Sequence, residues 1–291
     1  MAKLGIVCEG GGTRGAYTAG FLTWCLDNNI PIDYINGISA GAVMACLFVS
    51  KQPERMKNMV TKYVTDSRYM GVQAFLRERT VFGIDFAFDG VDELEPLDKE
   101  TLMSNPVTLE YGLYHCETDT LEYFGKDEVI NKPDYYKATC RLPGFVKIGE
   151  MDGQHYFDGG VKAMIPIARA EEVGIDYNIV VLTKPGNYVR KPEKKWQLAF
   201  LKLLYGNKYP KLLECLNRRH IEFAEEIDHI YKRQEEGKGF VVRPSVDMKI
   251  DRLCKDVELL TKLWELGYSD GEKYRDEIMA LVKRAHGVTN E

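Results

Sequence analysis

The chain has 291 residues, of which 45% are hydrophobic and 29% charged, and its formal net charge is −5. A chain of this length and composition is a folded globular protein with one large core or two modest ones, which excludes a disordered or fibrous protein. The negative net charge excludes a general attraction to nucleic acid, because such a partner would need a local basic patch.

Cysteine usage and hydropathy predict where the protein works. The seven cysteines are an odd number, scattered without a C-x-x-C pair, which is typical of reduced thiols in a cytosolic protein. The opening sequence MAKLGIVCEGGG has too few apolar residues for a signal peptide, and no apolar run approaches the roughly 18 to 20 residues of a membrane span. We therefore expect a cytoplasmic protein that contacts a membrane only peripherally, if at all.

The first predicted unit is a strand, a glycine loop and a helix. The apolar run 4–8 (LGIVC) is typical of a buried strand, GGGTRG at 10–15 follows at once, and 16–26 has apolar residues at helical spacing. The loop fits the dinucleotide pattern G-x-G-x-x-G, but the next predicted strand ends in Asn36-Gly37 where that fold needs an acidic residue, and the Walker A lysine is missing. A protein that binds nucleotide phosphate in loop 10–15 stays open as an alternative.

The second predicted turn has a serine between two glycines. Gly37, Ser39 and Gly41 form G-x-S-x-G between a short strand and an apolar helix that begins near Ala40. Such a tight turn forces the serine toward an unfavourable backbone conformation, and the glycines remove Cβ atoms that would collide. The hydroxyl is then exposed beside helix N–H groups, as a nucleophile requires. The motif by itself favours a plainer interpretation, in which Ser39 caps the helix.

The glycine loop and the serine turn are expected to lie side by side. The first two strands of a βαβ unit are commonly parallel neighbours, so both send their following loops to the same edge of the sheet. The backbone N–H groups of residues 10–12 can then point at the atom that Ser39 attacks. We interpret this loop as an oxyanion hole, because a plain tight turn does not explain four glycines in six positions.

The middle of the chain is predicted to be structural. Residues 52–79 have a helical, charged pattern in which four large side chains are expected to pack inside: Met56, Met59, Tyr63 and Phe75. The acidic stretch 83–100 lacks the glycine and terminal glutamate of a calcium loop, so we expect it to be solvated. Residues 107–116 and 120–124 alternate like sheet strands.

Asp158 is the residue that we expect to activate the serine. It ends a short aromatic strand (HYFD) and precedes Gly159-Gly160, a sequence equally typical of a hairpin turn. A serine nucleophile needs a base, and the two glycines would let substrate approach it. No histidine is predicted to lie in a strand-end loop, and the serine turn comes too early in the chain for an α/β-hydrolase. A serine–aspartate pair needs no histidine.

Three motifs together, GGGTRG, GISAG and DGG, resemble the patatin-like phospholipase family. The resemblance extends to ATCRLPGF before the aspartate and DGGVKAMIPIARAEEVG after it, so it covers about residues 4–182. It implies a three-layer α/β/α fold with a mostly parallel central sheet, Ser39 as the nucleophile and Asp158 as the general base. It also implies an oxyanion hole formed by residues of the first loop: Gly10, Gly11, Gly12, Arg14 and Gly15. The other motif glycines shape the two later turns: Gly37, Gly41, Gly159 and Gly160.

The activity that the resemblance implies is hydrolysis of lipid acyl esters through an acyl-enzyme, without a metal or organic cofactor. An unperturbed aspartate with a pKa of about 4 is a poor base at neutral pH, so we expect partial burial beneath a bound acyl chain to raise the pKa of Asp158. A catalytically silent lipid-binding protein with the same fold is a further alternative.

The last third of the chain is expected to be a mainly helical extension, residues 188–291, packed on the catalytic region 1–187 as part of one domain. Residues 190–219 carry nine basic and two acidic side chains among large apolar ones. A helix packed on the core with its lysines in water is favoured there, and adsorption to an anionic membrane stays open. Residues 239–244 (GFVVRP) predict a strand that returns to the sheet.

Two amphipathic helices are predicted near the end of the chain. The first covers 251–266 and is expected to stop at Gly267, and the second covers 271–284.

Overall fold

In the computed structural model, which describes residues 2–287, one mixed sheet of eight strands lies between layers of helices. The strands are β1 (Leu4–Cys8), β2 (Tyr34–Gly37), β3 (Thr108–His115), β4 (Thr120–Phe124), β5 (Gly149–Met151), β6 (Gln154–Asp158), β7 (Tyr177–Val181) and β8 (Gly239–Val242). The helices are α1 (Gly15–Asp27), α2 (Ala40–Val49), α3 (Pro53–Thr61), α4 (Val72–Glu78), α5 (Val91–Leu94), α6 (Lys99–Ser104), α7 (Lys126–Asn131), α8 (Pro133–Ala138), α9 (Ile167–Glu172), α10 (Lys195–Tyr205), α11 (Pro210–Glu235), α12 (Val257–Lys273) and α13 (Arg275–His286). The predicted three-layer α/β/α fold with a mainly helical C-terminal region is confirmed.

Most neighbouring strands in the sheet run parallel. Their order is β5-β6-β3-β2-β1-β7-β8, with β4 paired to β3. β1 lies parallel between β2 and β7, and β8 extends the sheet parallel to β7. All five residues of β1 are buried, because a central parallel strand is covered by helices on both faces and is apolar throughout. The predicted pairing of β1 with β2 and the predicted late strand are both confirmed.

The antiparallel strand β6 approaches β2 end to end along β3. Tyr111 of β3 pairs with both β2 and β4, and Leu113 pairs with both β4 and β6. A residue has one neighbouring strand on each side, so β2 and β6 share the same side of β3. Gly37 ends β2 opposite Tyr111, and Asp158 ends β6 opposite Leu113. The carboxyl ends of β2 and β6 therefore meet, and the turns after them come together.

The helices α1 and α2 form the centre of the core on one side of the sheet. Every residue of α2 from Gly41 to Val49 is buried, as is every residue of α1 from Gly15 to Cys25. A helix that is apolar all round must be covered all round, and α12 supplies the outer cover by packing along α1.

The predicted stop at Gly267 is wrong, because α12 runs from Val257 to Lys273 through both Gly267 and Gly271. The helix begins later than expected, where the Asp256 carboxylate accepts a hydrogen bond from the Leu259 N–H and caps its first turn. The second predicted helix is correspondingly shorter and begins at Arg275.

The glycines of α12 allow close contact with α1. A Cβ atom at Gly267 would lie 2.1 Å from the Tyr17 carbonyl oxygen, and one at Gly271 would lie 2.6 Å from the Trp24 ring. Across the contact, a Cβ atom at Gly20 would lie 1.9 Å from the Trp264 carbonyl oxygen. The helix-breaking tendency of glycine, about 1 kcal/mol, is outweighed here by tertiary packing that only glycine permits.

A second prediction that the structure overturns concerns Phe75. Met56, Met59 and Tyr63 are buried as expected, but Phe75 on α4 is 62% exposed. Two further residues of this helix, Val72 and Leu76, are also exposed, so α4 presents an apolar face to solvent.

Within residues 2–287, no helix has both the length and the apolar character needed to cross a bilayer.

Candidate active site

Ser39 lies in the tight turn between β2 and α2. Its backbone is strained, with φ 57° and ψ −128°, a region that non-glycine residues rarely adopt. A Cβ atom at Gly37 would lie 2.4 Å from the backbone of Gly41, and one at Gly41 would lie 2.6 Å from the Cys8 carbonyl oxygen. The predicted serine turn, with glycine required on both sides, is thus confirmed. Ser39 makes no side-chain capping hydrogen bond to α2, so the capping interpretation is wrong.

The turn of Ser39 is held by the segment that precedes β5. The Ser39 N–H donates to the Thr139 hydroxyl at 3.2 Å, and Thr139 is completely buried. Cys140, the next residue, lies beside the Ser39 hydroxyl, and burial raises the pKa of its thiol well above the usual value. The half-buried Ser39 therefore has a fixed backbone and a thiol that stays protonated beside it.

Asp158 ends β6 and is 1% exposed. Its Oδ1 accepts a hydrogen bond from the Gly160 N–H at 2.7 Å. Burial raises the pKa of Asp158 to about 6, although the Ser39 hydroxyl, the Gly160 N–H and the Arg219 guanidinium each act to lower this pKa. The Oδ2 atom is buried and accepts no hydrogen bond within residues 2–287. The Ser39 hydroxyl is therefore near this carboxylate without forming a hydrogen bond of normal geometry to Oδ2.

The turn after Asp158 is not a hairpin turn. Residues Gly159–Val161 form one turn of 3₁₀ helix that leads toward α9, and the hairpin in this region joins β5 to β6 instead. A Cβ atom at Gly159 would lie 2.5 Å from the Gly112 carbonyl oxygen. Glycine lets this turn press against β3, which brings Asp158 close to the Ser39 turn.

The glycine loop borders the same cavity as Ser39 and Asp158. The Gly10 N–H is occupied, because it donates to the Met164 carbonyl at 3.2 Å. The Gly15 N–H is also occupied, by carbonyls of the loop itself. Within the described residues, the N–H groups of Gly11 and Gly12 form no hydrogen bond. Gly12 has φ +60°, and a Cβ atom there would lie 2.5 Å from the Arg252 carbonyl oxygen.

A buried ion pair that sequence reasoning missed supports the glycine loop. Glu9, which is completely buried, accepts hydrogen bonds from the Thr183 N–H at 2.6 Å, the Thr183 hydroxyl at 2.9 Å and the Lys184 ammonium group. Burial lowers the pKa of Lys184 to about 8. A sequence signal was present, because Glu9 and Lys184 each follow a buried strand, and those strands are neighbours. Arg14 lies nearby, with its Nε donating to the Gly11 carbonyl at 3.4 Å.

An apolar cavity opens beside Ser39. The cavity is lined by apolar side chains of α2, α3, the segment 69–88 and the loop that follows α8, among them Val43, Met44, Met59, Tyr69, Phe82, Ile84, Ala87, Phe88 and Leu142. A lining of this kind is typical of a site that binds an apolar group.

Basic side chains from the C-terminal third border a second, smaller cavity at Ser39. Arg190, Arg219 and Arg252 line the small cavity that also contains Ser39 and Asp158. The sequence indicated a basic segment at 190–219 but gave no reason to place any of it beside the serine. A long-range arrangement of this kind leaves no local pattern.

Comparisons with known proteins identify the family. The model of the patatin-like phospholipase family matches residues 6–170, and the model of a domain of unknown function (DUF6363) matches residues 209–283. The uncharacterised protein YjjU of Escherichia coli K12 is 24% identical over 99% of this chain and 81% of its own length. The lysophospholipase NTE1 of Coccidioides immitis is 20% identical over 95% of this chain, which spans only 18% of that protein.

A solved structure, VipD from Legionella pneumophila, aligns with 98% of this chain and 67% of its own chain at 13% identity and a TM-score of 0.46. The family model, by contrast, covers more than half of the 291 residues. The chain therefore belongs to the patatin-like phospholipase family, which makes it a hydrolase of the phospholipase and esterase type that acts on lipid acyl esters.

Proposed function

We propose that the protein cleaves lipid acyl esters with a two-residue catalytic pair, Ser39 as the nucleophile and Asp158 as the general base. The observation that supports this most directly is the end-to-end meeting of β2 and β6, which brings both residues to one cavity. Ser39 has the strained backbone that a serine nucleophile adopts in a tight strand-to-helix turn. Asp158 has an unsatisfied buried oxygen available for a proton.

The proposed reaction has two steps. The Ser39 oxygen attacks the ester carbonyl while Asp158 takes the hydroxyl proton, and as the tetrahedral intermediate collapses Asp158 gives this proton to the leaving alcohol, which leaves an acyl-enzyme. Asp158, ionised again, then takes a proton from water as the water attacks the acyl-enzyme. It passes that proton to the Ser39 oxygen as the fatty acid leaves. A base with a pKa of about 6 is ionised at neutral pH and still accepts a proton more readily than an ordinary aspartate.

The proposed oxyanion hole has fewer N–H donors than the sequence suggested. The N–H groups of Gly11 and Gly12 are its donors, since the Gly10 and Gly15 N–H groups are already hydrogen-bonded. Gly10 and Gly15 instead shape the loop, and Arg14 adds positive charge at its edge. Unsatisfied N–H groups aimed at a developing negative charge stabilise the transition state more than the ground state.

The acyl chain is proposed to occupy the apolar cavity. Val43 lies one helical turn beyond Ser39 on α2 and lines that cavity, so a chain bound there would present its ester carbonyl to the serine. Each methylene group buried in such a cavity contributes about 0.8 kcal/mol of binding. Esters with longer chains should therefore be better substrates, up to the length that the cavity holds.

The proposal is tested with two variants, Ser39→Ala and Asp158→Asn, assayed on a short-chain ester. Both are expected to lose activity while keeping the thermal unfolding transition of the wild type. Ser50→Ala is the matched control, because Ser50 lies at the opposite end of α2 and its hydroxyl bonds to Leu47 and Gln52, away from the site. Turnover retained in Ser39→Ala would remove the proposal.

The alternative functions give different results with an activated fluorophosphonate. A nucleotide-binding protein that uses loop 10–15, or a silent lipid-binding protein, would leave Ser39 unlabelled. An esterase would be labelled at Ser39, because only an activated serine displaces the fluoride.

We also propose that the protein contacts an anionic membrane peripherally through α10. Four large side chains of this helix are exposed, Trp196, Phe200, Leu203 and Leu204, while Leu201 is buried. The helix has basic residues and no acidic one. The exposed apolar face is wider than the packing interpretation predicts, and it suits the boundary between lipid head groups and acyl chains.

The loop 142–145 contacts both α10 and the segment that follows α4. Leu201 of α10 packs against Gly144, where a Cβ atom would lie 2.9 Å from its side chain, and the Val81 N–H donates to the Phe145 carbonyl at 3.0 Å. Leu142, in the same loop, lines the apolar cavity. Membrane contact here would therefore hold lipid near the mouth of the cavity.

Vesicle co-sedimentation tests the contact. Lys195→Glu together with Lys202→Glu is expected to release the protein from anionic vesicles, as is high salt, and Leu203→Glu is expected to do the same. Val257→Glu on α12 is the control, since Val257 is also exposed but lies outside this surface. Binding that ignores both salt and charge reversal would dispose of the proposal.

For domain organisation we propose that residues 188–291 are an extension of the catalytic region 1–187 within one domain. Its support is that β8 pairs with β7 of the central sheet and that α12 packs on α1.

A further inference from the structure

The cavity that contains Ser39 and Asp158 has an excess of positive charge. Its lining includes five cationic side chains: Arg14, Lys184, Arg190, Arg219 and Arg252. Lys184 is neutralised by Glu9, but three of the arginines come from the C-terminal third and have few anionic partners. These three, Arg190, Arg219 and Arg252, are called the arginine cluster below.

Arg219 is the innermost member of the cluster. It lies on α11 and is 9% exposed. Its Nη1 reaches the Glu193 carboxylate at 3.4 Å, and its Nε is buried without a hydrogen-bond partner in the described part of the chain. Its Nη2 lies 3.7 Å from the place of a Cβ atom on Gly160. The guanidinium therefore faces the turn that follows Asp158.

Arg190 competes with Arg219 for the same acidic group. Its Nη2 lies 3.1 Å from Oε1 of Glu193, the same oxygen that Arg219 approaches. The Nε of Arg190 is also buried and has no partner among residues 2–287. A buried and a partly buried guanidinium group thus share one carboxylate oxygen, which leaves part of their charge and two buried N–H donors unsatisfied.

Asp158 attracts Arg219 and Arg252, which lowers its own pKa, but it forms no direct ion pair with an arginine within the described residues. Its Oδ1 is held by the Gly160 N–H. Burial, followed by repulsion from Arg190, lowers the pKa of Arg219 to about 10. A buried guanidinium in this situation gains free energy from an added anion, and a fork of N–H donors matches a phosphate group.

We propose that the arginine cluster is the binding site for the phosphate group of a lipid head group, so that the substrates are phosphate-containing acyl lipids in preference to neutral acylglycerols. This inference rests on the proposed function. The acyl chain lies in the apolar cavity, the phosphate lies against Arg219 and Arg190, and the ester carbonyl between them lies at Ser39. Arg252 closes the site from the loop that covers Gly12.

The test compares two substrates that share one acyl chain, a monoacyl glycerophosphocholine and the corresponding monoacylglycerol, at concentrations below micelle formation. Arg219→Gln and Arg190→Gln are expected to lower kcat/KM for the phosphate-containing substrate at least tenfold more than for the neutral one, mainly through KM. Arg218→Gln is the matched control. Arg218 directly precedes Arg219 on α11, but its side chain is exposed and pairs with Glu222. An equal loss of kcat/KM on both substrates would overturn the inference. The role of the cluster would then be to lower the pKa of Asp158.

A second arm separates a lipid head group from free phosphate. Glycerol phosphate is expected to inhibit the wild type competitively against the phosphate-containing substrate, and Arg219→Gln is expected to weaken this inhibition at least tenfold. Inhibition without any preference between the two substrates would show a site for free phosphate and overturn the lipid assignment.

Two measurements keep the result interpretable. If thermal unfolding shows that Arg219→Gln does not fold, Arg252→Gln gives the same comparison from a partly exposed position. Fluorophosphonate labelling of Ser39 in each variant separates the two levels of the argument. Labelling that persists while the substrate preference is unchanged contradicts the phosphate site alone, whereas labelling that is absent from the wild type contradicts the proposed function itself.

Discussion

The two cavities that meet at Ser39 differ in chemistry and in origin. The apolar cavity is formed by α2, α3, the segment 69–88 and the loop that follows α8, all from the first half of the chain. The arginine cluster comes from the last third, through α11 and two loops. The serine therefore lies where an apolar surface meets a positively charged one.

This difference suggests how one site orients an amphipathic substrate. Hydrophobic burial is non-directional and scales with apolar area, so the cavity selects chain length without fixing the position of the ester. Guanidinium groups bind phosphate with defined geometry, so the cluster fixes one end of the substrate. The proposed division of labour predicts that variants on the two sides will have separable effects.

The largest effect is expected where the two sides meet, in the glycine loop. Gly12→Ala places a Cβ atom against the Arg252 carbonyl at a backbone angle that disfavours alanine, which should move the proposed oxyanion donors. Loss of one such donor typically lowers kcat by about 10²- to 10³-fold. The measurement is kcat on both substrates, which should fall alike.

Gly153→Ala is the control for Gly12→Ala. Gly153 also has a positive φ, +75°, but a Cβ atom there would meet nothing within 4 Å. It should show the backbone strain without the loss of activity. An equal loss in both variants would mean that stability, and not the position of the donors, explains the effect.

The next largest effect is expected from narrowing the apolar side. Val43→Phe fills part of the cavity one turn beyond Ser39, so long acyl chains should be excluded while short ones still bind. Exclusion of two or three methylene groups is worth about 2 kcal/mol, or roughly 30-fold in kcat/KM. A series of esters of increasing chain length measures this, and an unchanged length preference would place the acyl chain elsewhere.

A smaller effect is expected in the pH dependence. Because Asp158 acts as a base only when ionised, kcat/KM should rise tenfold per pH unit below about pH 6 and level off above it. Arg252 lowers the pKa of Asp158, so Arg252→Gln should move the midpoint to higher pH, whereas Val43→Phe should leave it in place. If the midpoint stays at the wild-type pH in Arg252→Gln as well as in Val43→Phe, the titrating group is not Asp158.

The smallest effect on the site is expected from the packing of α12 on α1. Gly267→Ala introduces a methyl group where a Cβ atom would lie 2.1 Å from the Tyr17 carbonyl, and overpacking of this kind costs about 1 to 3 kcal/mol. Thermal unfolding should show the loss, and the ratio of activities on the two substrates should stay unchanged. A changed ratio would mean that α12 helps to position the arginine cluster.

The sequence predicted the parts of the site that are formed by neighbouring residues. The strained Ser39 turn, the adjacent glycine loop and Asp158 at a strand end each leave a local signal, because glycines mark where backbone must approach backbone. It also predicted that burial beneath an acyl chain would raise the pKa of Asp158, whereas here the protein itself buries this carboxyl and so raises its pKa.

The parts that the sequence could not predict depend on tertiary contacts. Gly267 has the local signature of a helix end, but contact with Tyr17 makes it an interior helix residue. Arg218 and Arg219 are indistinguishable in sequence, yet one is exposed and the other faces the Asp158 turn. The Gly10 N–H is not available to the proposed oxyanion hole, because it donates a hydrogen bond to the Met164 carbonyl, more than a hundred residues away in the chain.

The most direct measurement is intact-mass and peptide analysis after reaction with a fluorophosphonate that has an alkyl chain. If Ser39 and Asp158 form a catalytic pair, the wild type gains one adduct on the peptide that contains Ser39, Asp158→Asn reacts much more slowly, and Ser39→Ala does not react. An adduct on another residue, or a wild type that stays unlabelled while it hydrolyses esters, would contradict the pairing of these two residues.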